Sequence, residues 1–295
     1  MAQANRQRIM VEMNASPASR GLPAPSRHQR MSGHSRVAFG PRGVRDIVQR
    51  APCRLLFPDG AAGEFPLAVS LTTSGGLTGG DRVAVEIIVD AGACGSVSTQ
   101  AAEKLYRVLP EDPDITVETR ITVGAGGRCE WLGQEAILFE GTRLRRHLCA
   151  DLAGDGALLA VETLVLGRGA MGEAFTHGLI HDAWAVRRDG RLVWADGLHV
   201  AGDIASVAAA PFGFAGAQAM ATLIYAGPGA ADHLGLARDL APAPMAGASC
   251  IDGVLLLRWI GADAQAVRGQ VMRAAGAMRA AVFGLSPRLP ALWTC

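Results

Sequence analysis

The chain is organised around Ser74-Gly-Gly-Leu-Thr-Gly-Gly-Asp81, a short block in a sequence of 295 residues. Two glycine pairs flank Leu77 and Thr78, and the block ends at a carboxylate. The backbone there can therefore reach positive φ and approach another group closely. The residues that follow, 81–89, alternate valine or isoleucine with other residues, which is the period-2 pattern of a half-buried strand. The sequence predicts a loop of defined conformation that leads into a strand.

A second polar block follows that strand and reads Thr99-Gln-Ala-Ala-Glu-Lys-Leu-Tyr-Arg107. It contains Lys104, the only lysine of the chain. If both blocks belong to one sheet, Asp81 comes within reach of Glu103 and Lys104. We expect these charged groups to lie close together.

Further motifs follow in a fixed order. They are Trp131-Leu-x-Gln-Glu135 with Phe139 and Arg143 after it, and Gly167-Arg-x-Ala-Met-Gly-Glu173. Together with the glycine block and the 99–107 block, they resemble the UreD (also called UreH) family of urease accessory proteins. The resemblance runs from about Gly43 to the tail at residues 288–293. Several spaced motifs in one order are more specific than any one of them.

The resemblance implies a mainly β fold, with an elongated, β-helix-like body of two stacked sheets and a small helical layer toward the C-terminus. It implies a protein without enzymatic chemistry that acts as scaffold and conduit in a GTPase-containing chaperone complex. The implied partners are a UreF-type accessory protein, a UreG-type GTPase and apo-urease. Ni²⁺ would pass through in transit, and no cofactor would be tightly bound.

Composition excludes several other classes of function. Hydrophobic residues make up 49% of the chain and charged residues 19%, so a sizeable core is expected. The 28 basic and 27 acidic residues leave a net charge of +1, without the basic footprint of a nucleic-acid binder. No apolar run approaches the roughly 20 residues of a membrane helix. We therefore expect neither nucleic acid nor membrane as a partner.

The six cysteines are scattered, with no Cys-x-x-Cys pair. This usage is typical of reduced thiols in a cytoplasmic protein. Residues 1–36 are rich in arginine, proline and serine, without the apolar segment of a secretory signal, and are predicted to form a disordered basic tail. Translation from Met31 is the alternative. Residues 37–295 are then predicted to form one β-rich domain.

Short apolar runs alternate with turn residues from residue 37 onward, as in stacked or sandwiched β-sheets. Periodicity alone does not distinguish a sandwich from a β-helix. Two helices are predicted, at 230–240 and 262–283, the second with Arg268 and Arg279 off its apolar stripe. Strands are predicted at 44–50, 53–57, 65–72, 81–89, 115–123, 129–132, 136–139, 144–152, 158–166, 181–188, 191–200 and 254–260.

Five side chains are candidates for a transient nickel path. Asp81, Glu103 and Glu173 would line the route as carboxylates, which attract divalent cations. His177 and His181 follow Glu173, and imidazole with carboxylate oxygen suits nickel or zinc. The alternatives are structural ion pairs and hydrogen-bonded structural histidines. A different class of function, a free-standing metal-dependent hydrolase on a β fold, would use Glu173, His177 and His181 as its metal site.

Two surfaces are candidates for partner contacts. Arg143, Arg145 and Arg146 form either a solvated face or a basic protein-binding strip, because arginine is favoured at interfaces. The helix at 262–283 and the tail around Trp293 are the other docking candidates. No Gly-x-Ser-x-Gly and no Gly-Lys-Ser/Thr phosphate loop occurs in the sequence.

Overall fold

A computed structural model describes residues 30–294 as two β-sheets that face each other, with two of the three α-helices of this part on the outer face of one sheet. The fold class expected from the sequence is confirmed. The first strands are β1 Ser32–Gly40, β2 Gly43–Arg50, β3 Cys53–Leu56, β4 Leu67–Thr72, β5 Arg82–Val89, β6 Cys94–Thr99, β7 Glu103–Leu105 and β8 Ile115–Val123. The others are β9 Arg128–Leu138, β10 Arg143–Leu152, β11 Ala157–Leu166, β12 His177–Arg188, β13 Arg191–Asp203, β14 Ala219–Ala226, β15 Ala246–Ile251 and β16 Val254–Gly261. The helices are α1 Ile204–Ala209, α2 Leu234–Leu240 and α3 Ala264–Phe283, with short 3-10 turns at Gly169–Met171, Ala230–His233 and Ala291–Trp293.

The chain coils between the two sheets. Sheet A has seven strands in the order β13-β12-β10-β8-β5-β1-β2, and sheet B has nine, in the order β15-β16-β14-β11-β9-β6-β4-β3 with β7 beside β9. From β5 to β12 the chain alternates between the sheets, except that β6 and β7 both lie in sheet B. Strands β5, β8, β10 and β12 pair in parallel, as do β6, β9 and β11. Antiparallel hairpins close the ends. The result is the β-helix-like arrangement of two stacked sheets that the family resemblance implied.

The space between the sheets holds two apolar cores separated by polar side chains. One core contains Leu148 and Trp184, and the other contains Leu144 and Ile180. Along β10 and β12 the inward position between these residues is charged rather than apolar. We call the polar residues at this level the polar layer. Its members are Thr119, Arg146, Glu162, Asp182, Asp196, Thr222 and Arg258.

Helix α3 covers the outer face of sheet B. It begins after Asp263, whose carboxylate accepts hydrogen bonds from the backbone N–H groups of Gln265 (2.8 Å) and Ala266 (3.3 Å), and ends at Gly284 with φ of 70°. This cap and this stop agree with the predicted helix at 262–283. No helix within residues 30–294 is long and apolar enough to cross a membrane.

The interpretation of Arg279 as lying off the buried stripe is wrong. Only 2% of Arg279 is exposed, because sheet B carries the buried Glu130 directly beneath the helix. The guanidinium faces the sheet to pair with this carboxylate. Helical periodicity treats arginine as a surface residue and gives no sign of a buried counter-charge on another element.

Other differences concern strand limits. Strand β1 begins at Ser32, inside the range predicted as a tail, because residues 32–39 pair in parallel with β5. Residues 1–29 lie outside the described part. The predicted strands at 129–132 and 136–139 form the single strand β9, with irregular pairing around Gly133 and Gln134. The prediction missed β1, β6, β7, β14 and β15, which are short or rich in small residues.

Candidate functional site

The glycine block lies beside the 99–107 block at the edge of the space between the sheets. The N–H of Leu77 donates to the carbonyl of Lys104 (2.8 Å), and the N–H of Tyr106 donates to the carbonyl of Leu77 (2.8 Å). Gly76 has φ of +135°, and a Cβ there would lie 2.5 Å from the Tyr106 ring. Glycine is therefore required for this close approach.

Asp81 anchors this loop and is fully buried. One carboxylate oxygen accepts from the N–H of Met31 (2.8 Å) and the other from the N–H of Thr78 (2.9 Å). The carboxylate is thus engaged by its own loop and by Met31, the residue that precedes β1. Asp81 is not among the residues that line the cavity beneath the loop. The expectation that it faces Glu103 and Lys104 is not met, because local backbone donors take up both oxygens.

A cavity of about 320 Å³ lies between the sheets beneath the glycine block. Three carboxylates line it: Glu103, Glu135 and Glu162. Glu103 accepts a hydrogen bond from the Thr72 hydroxyl (3.0 Å), and burial raises the pKa of its carboxyl above the usual value. Of the five candidate side chains, Glu103 is the one that lines this cavity.

Arg146 closes the inner end of the cavity. Its guanidinium makes a two-point ion pair with Asp182, at 2.8 Å from Nε to Oδ1 and 2.7 Å from Nη2 to Oδ2. Nε also lies 3.2 Å from Oε2 of Glu162. Side-chain exposure is only 7% for Arg146, 13% for Asp182 and 5% for Glu162. One buried arginine is therefore shared by two carboxylates from opposite sheets.

Glu162 is the less well satisfied of these two carboxylates. Its Oε1 accepts from the Trp131 indole N–H (3.1 Å), whereas its buried Oε2 has no hydrogen-bond partner. Burial raises the pKa of Glu162 to about 6, against the lowering effect of Arg146. Burial works against the charged form of Arg146, but Asp182 and Glu162 outweigh it and keep the pKa of the guanidinium high. The polar layer therefore contains a fixed positive charge beside a carboxyl that is easily protonated.

A second cavity, of about 220 Å³, lies on the far side of Arg146 and Glu162. Asp182, Asp196 and Arg258 also line it. Arg258 pairs with Asp196, and their side chains are 46% and 34% exposed, so this cavity reaches the surface there. Both cavities are lined by Arg146 and Glu162, so this pair lies between them as a partition. We call the two cavities together the interior passage.

The other predicted ligands are not brought together. Glu173 pairs with Arg168 and accepts from the N–H of Glu140 (3.0 Å), and that N–H is the main cause of the lowered pKa of Glu173. His177 contacts the Thr176 hydroxyl (3.0 Å). His181 is four residues further along an extended strand, about 13 Å away. The three cannot bind one metal ion, so the arrangement provides no site for the hydrolase alternative.

The remaining surface predictions are only partly met. Arg143 and Arg145 both pair with Asp114, at 2.7 Å each, whereas Arg146 points inward. Trp293 is not an open docking surface, since 2% of it is exposed and its indole N–H donates to Ser98 (3.1 Å). Within residues 30–294, no three His, Cys, Asp or Glu side chains converge to hold a metal ion.

Sequence reasoning missed the partition residues, although a signal for them exists. Leu144-x-Arg146-x-Leu148 and Ile180-x-Asp182-x-Trp184 place a charge in the same strand phase as buried apolar residues. Because alternate residues of a strand face the same side, this pattern predicts that both charges point into the interior. The pattern cannot show that parallel pairing sets Arg146 directly beside Asp182. It also cannot show that Glu162 comes from the opposite sheet.

The sequence matches one family over nearly all of the described chain. The model of a family described as "UreD urease accessory protein" matches residues 31–294. A protein of Rhizobium leguminosarum bv. viciae named "Urease accessory protein UreD" is 39% identical over 260 residues, covering 87% of this chain and 94% of the relative. "Urease accessory protein UreD 2" of Methylorubrum populi is 42% identical over 250 residues, covering 81% and 83%. "Urease accessory protein UreD" of Magnetococcus marinus is 39% identical over 276 residues, covering 90% and 94%.

Proposed function

Because the chain belongs to the UreD family of urease accessory proteins, we propose that it is a non-catalytic scaffold and conduit for nickel delivery to apo-urease. In this role it binds apo-urease and a UreF-type protein that recruits a UreG-type GTPase. Ni²⁺ is the cargo of the assembly. The conduit is the interior passage between the two sheets.

The observation that carries this proposal is the series of carboxylates along the passage. Glu103 lines the first cavity, Glu162 borders both cavities, and Asp182 and Asp196 line the second. Carboxylate oxygens attract a divalent cation, and water in the cavities can complete its coordination. The carboxylates follow one another along the route, so an ion can be handed on without being held by a closed ligand set.

Arg146 gives the passage a controllable partition. Its positive charge lies between the two cavities and repels an approaching cation at close range. The ion crosses when Arg146 moves away from Glu162 and stays anchored by its existing ion pair with Asp182. Glu162 is then the carboxylate that the cation meets at the partition.

Glu103→Gln is the variant that tests the proposal most directly. Its carboxylate accepts a hydrogen bond from the Thr72 hydroxyl and makes no ion pair with an arginine among residues 30–294, so the change removes the charge without releasing an arginine. At 4 Å, a pair of unit charges in a partly buried setting interacts by about 4 kcal/mol. Loss of even a third of this, about 1.4 kcal/mol, slows transfer about tenfold.

The experiment is urease activation with Ni²⁺, bicarbonate and GTP in the presence of UreF- and UreG-type partners. The matched control is Glu118→Gln, a carboxylate on the outer face of sheet A that pairs with Arg120. We expect both variants to co-purify with the partners and apo-urease, and only Glu103→Gln to slow activation by about tenfold. Equal activation by Glu103→Gln and Glu118→Gln, with intact complexes, would contradict the conduit and leave a purely structural scaffold.

A further inference from the structure

Three of the seven histidines of the chain meet on the outer face of sheet A. His147, His181 and His199 lie on β10, β12 and β13, which are neighbouring strands. The ring centroids are 5.0 Å apart for His147 and His181 and 5.4 Å apart for His181 and His199. In the antiparallel register His181 lies directly opposite His199. We call these residues the outer histidine cluster.

The spacing of two ring nitrogens in this cluster suits a shared metal ion. Nδ1 of His181 lies 3.2 Å from Nδ1 of His199. Two nitrogens that each lie about 2.1 Å from one ion at near-tetrahedral or octahedral angles are separated by about 3.0 to 3.4 Å. Without an ion, one imidazole donates a hydrogen bond to the other. The backbone register therefore holds two imidazole nitrogens ready at a chelating distance.

We propose that the outer histidine cluster binds a divalent transition-metal ion such as Ni²⁺ or Zn²⁺ through Nδ1 of His181 and Nδ1 of His199. Water fills the other coordination positions of the ion. Imidazole nitrogen is a preferred ligand of both ions. The site lies on the solvent side of sheet A, whereas the passage lies between the sheets, so the two are independent.

Titration calorimetry of the full-length chain with NiCl₂ and with ZnCl₂ at neutral pH tests this site. Loss of a partner outside the ligand set already weakens metal binding 10- to 100-fold, so removal of a ligand should weaken it by at least about tenfold. We expect this loss for His181→Ala and for His199→Ala. The matched control is His34→Ala, which removes another outward histidine of sheet A whose neighbour is Glu86 (3.7 Å).

A second measurement uses the unaltered protein and does not depend on how the variants fold. Diethyl pyrocarbonate modifies accessible imidazoles, and mass spectrometry locates the modified residues. We expect Ni²⁺ to protect His181 and His199 and to leave His34 unprotected. Wild-type affinity in His199→Ala, or equal modification of His181 and His199 with and without metal, would overturn the proposal. Neither result bears on the passage, which is tested by urease activation.

Discussion

Two buried arginines of this protein make similar ion pairs in very different surroundings. Arg279 of α3 bonds Glu130 (2.8 Å) and Glu64 (2.7 Å), and its remaining Nη1 donates to the carbonyls of Ser286 (2.9 Å) and Arg288 (2.6 Å). It lines neither of the two cavities described above. Arg146 bonds Asp182 and approaches Glu162, but borders both cavities and leaves one oxygen of Glu162 without a hydrogen bond.

This contrast separates an ion pair that fixes an element in place from one that has room to rearrange. A buried charge cluster that is fully hydrogen-bonded and closely packed fixes the position of an element, here α3 on sheet B. A cluster with an unsatisfied oxygen and adjoining void can rearrange and exchange partners at small cost. Burial and charge alone do not distinguish the two. The two kinds of cluster differ in whether every polar atom has a hydrogen-bond partner and in whether a cavity adjoins the cluster.

The largest effect is expected for Arg279→Met. This change leaves Glu130 fully buried without its counter-ion and removes the bond to Glu64. Removal of one partner from a buried pair costs about 3 to 5 kcal/mol. We expect the free energy of unfolding, measured by urea denaturation, to fall by that amount.

The control for this variant is Arg273→Met on the same helix, for which no ion pair is recorded among the described residues. Its free energy of unfolding should stay within about 0.5 kcal/mol of the wild-type value, as for most surface substitutions. If Arg279→Met were as stable as Arg273→Met, the Arg279 cluster would not be what holds α3 on the sheet.

Arg146→Met should have a smaller effect on stability. The carboxylates it leaves behind border cavities of about 320 and 220 Å³, so water can replace part of the lost interaction. We expect the free energy of unfolding to fall by no more than about 3 kcal/mol, the lower end of the range for broken buried pairs. Urea denaturation alongside Arg279→Met makes the comparison direct, and a loss equal to or larger than that of Arg279→Met would remove the distinction between the clusters.

The sequence predicted the elements of this fold better than their faces. Alternation of apolar residues over 115–123 predicted strand β8 with its observed limits, because local patterning decides where such a strand runs. Helix α3 was predicted from its stripe and its glycine stop. Two of the three arginines of the helix, Arg268 and Arg279, were assigned to the wrong side, because the carboxylates they meet, Glu135 and Glu130, come from a strand more than a hundred residues earlier.

The candidate site was less accessible than the fold. Glu103 was selected as a polar residue of a glycine-framed region, and it lines the first cavity. Asp81 was selected for the same reason, yet its two carboxylate oxygens accept hydrogen bonds from the N–H groups of Met31 and Thr78, and it does not line the cavity. Sequence identifies a polar, conformationally special region, but it cannot count the local donors that each carboxylate will meet. That count depends on strand register and loop geometry.

The smallest effect is a pH dependence at Glu162. Its pKa is raised from 4.5 to about 6 by burial, so the folded state binds this proton more tightly than the unfolded state. The stabilisation from this proton is fully present below pH 4.5 and is lost as the pH rises through 6. A shift of this size corresponds to at most about 2 kcal/mol. Glu162→Gln removes the titrating group and with it this pH dependence.

Urea denaturation of the wild type and of Glu162→Gln at pH 4.5 and pH 7.5 measures this effect. We subtract the free energy of unfolding of the wild type from that of the variant at each pH. We expect this difference to be larger at pH 7.5 than at pH 4.5, because only the wild type loses stability as Glu162 gives up its proton. Glu118→Gln, which changes an exposed carboxylate, is the control for general effects of acid. If the difference shifted toward the wild type instead, Arg146 would hold Glu162 charged throughout. The Arg146 cluster would then be as tightly paired as the Arg279 cluster.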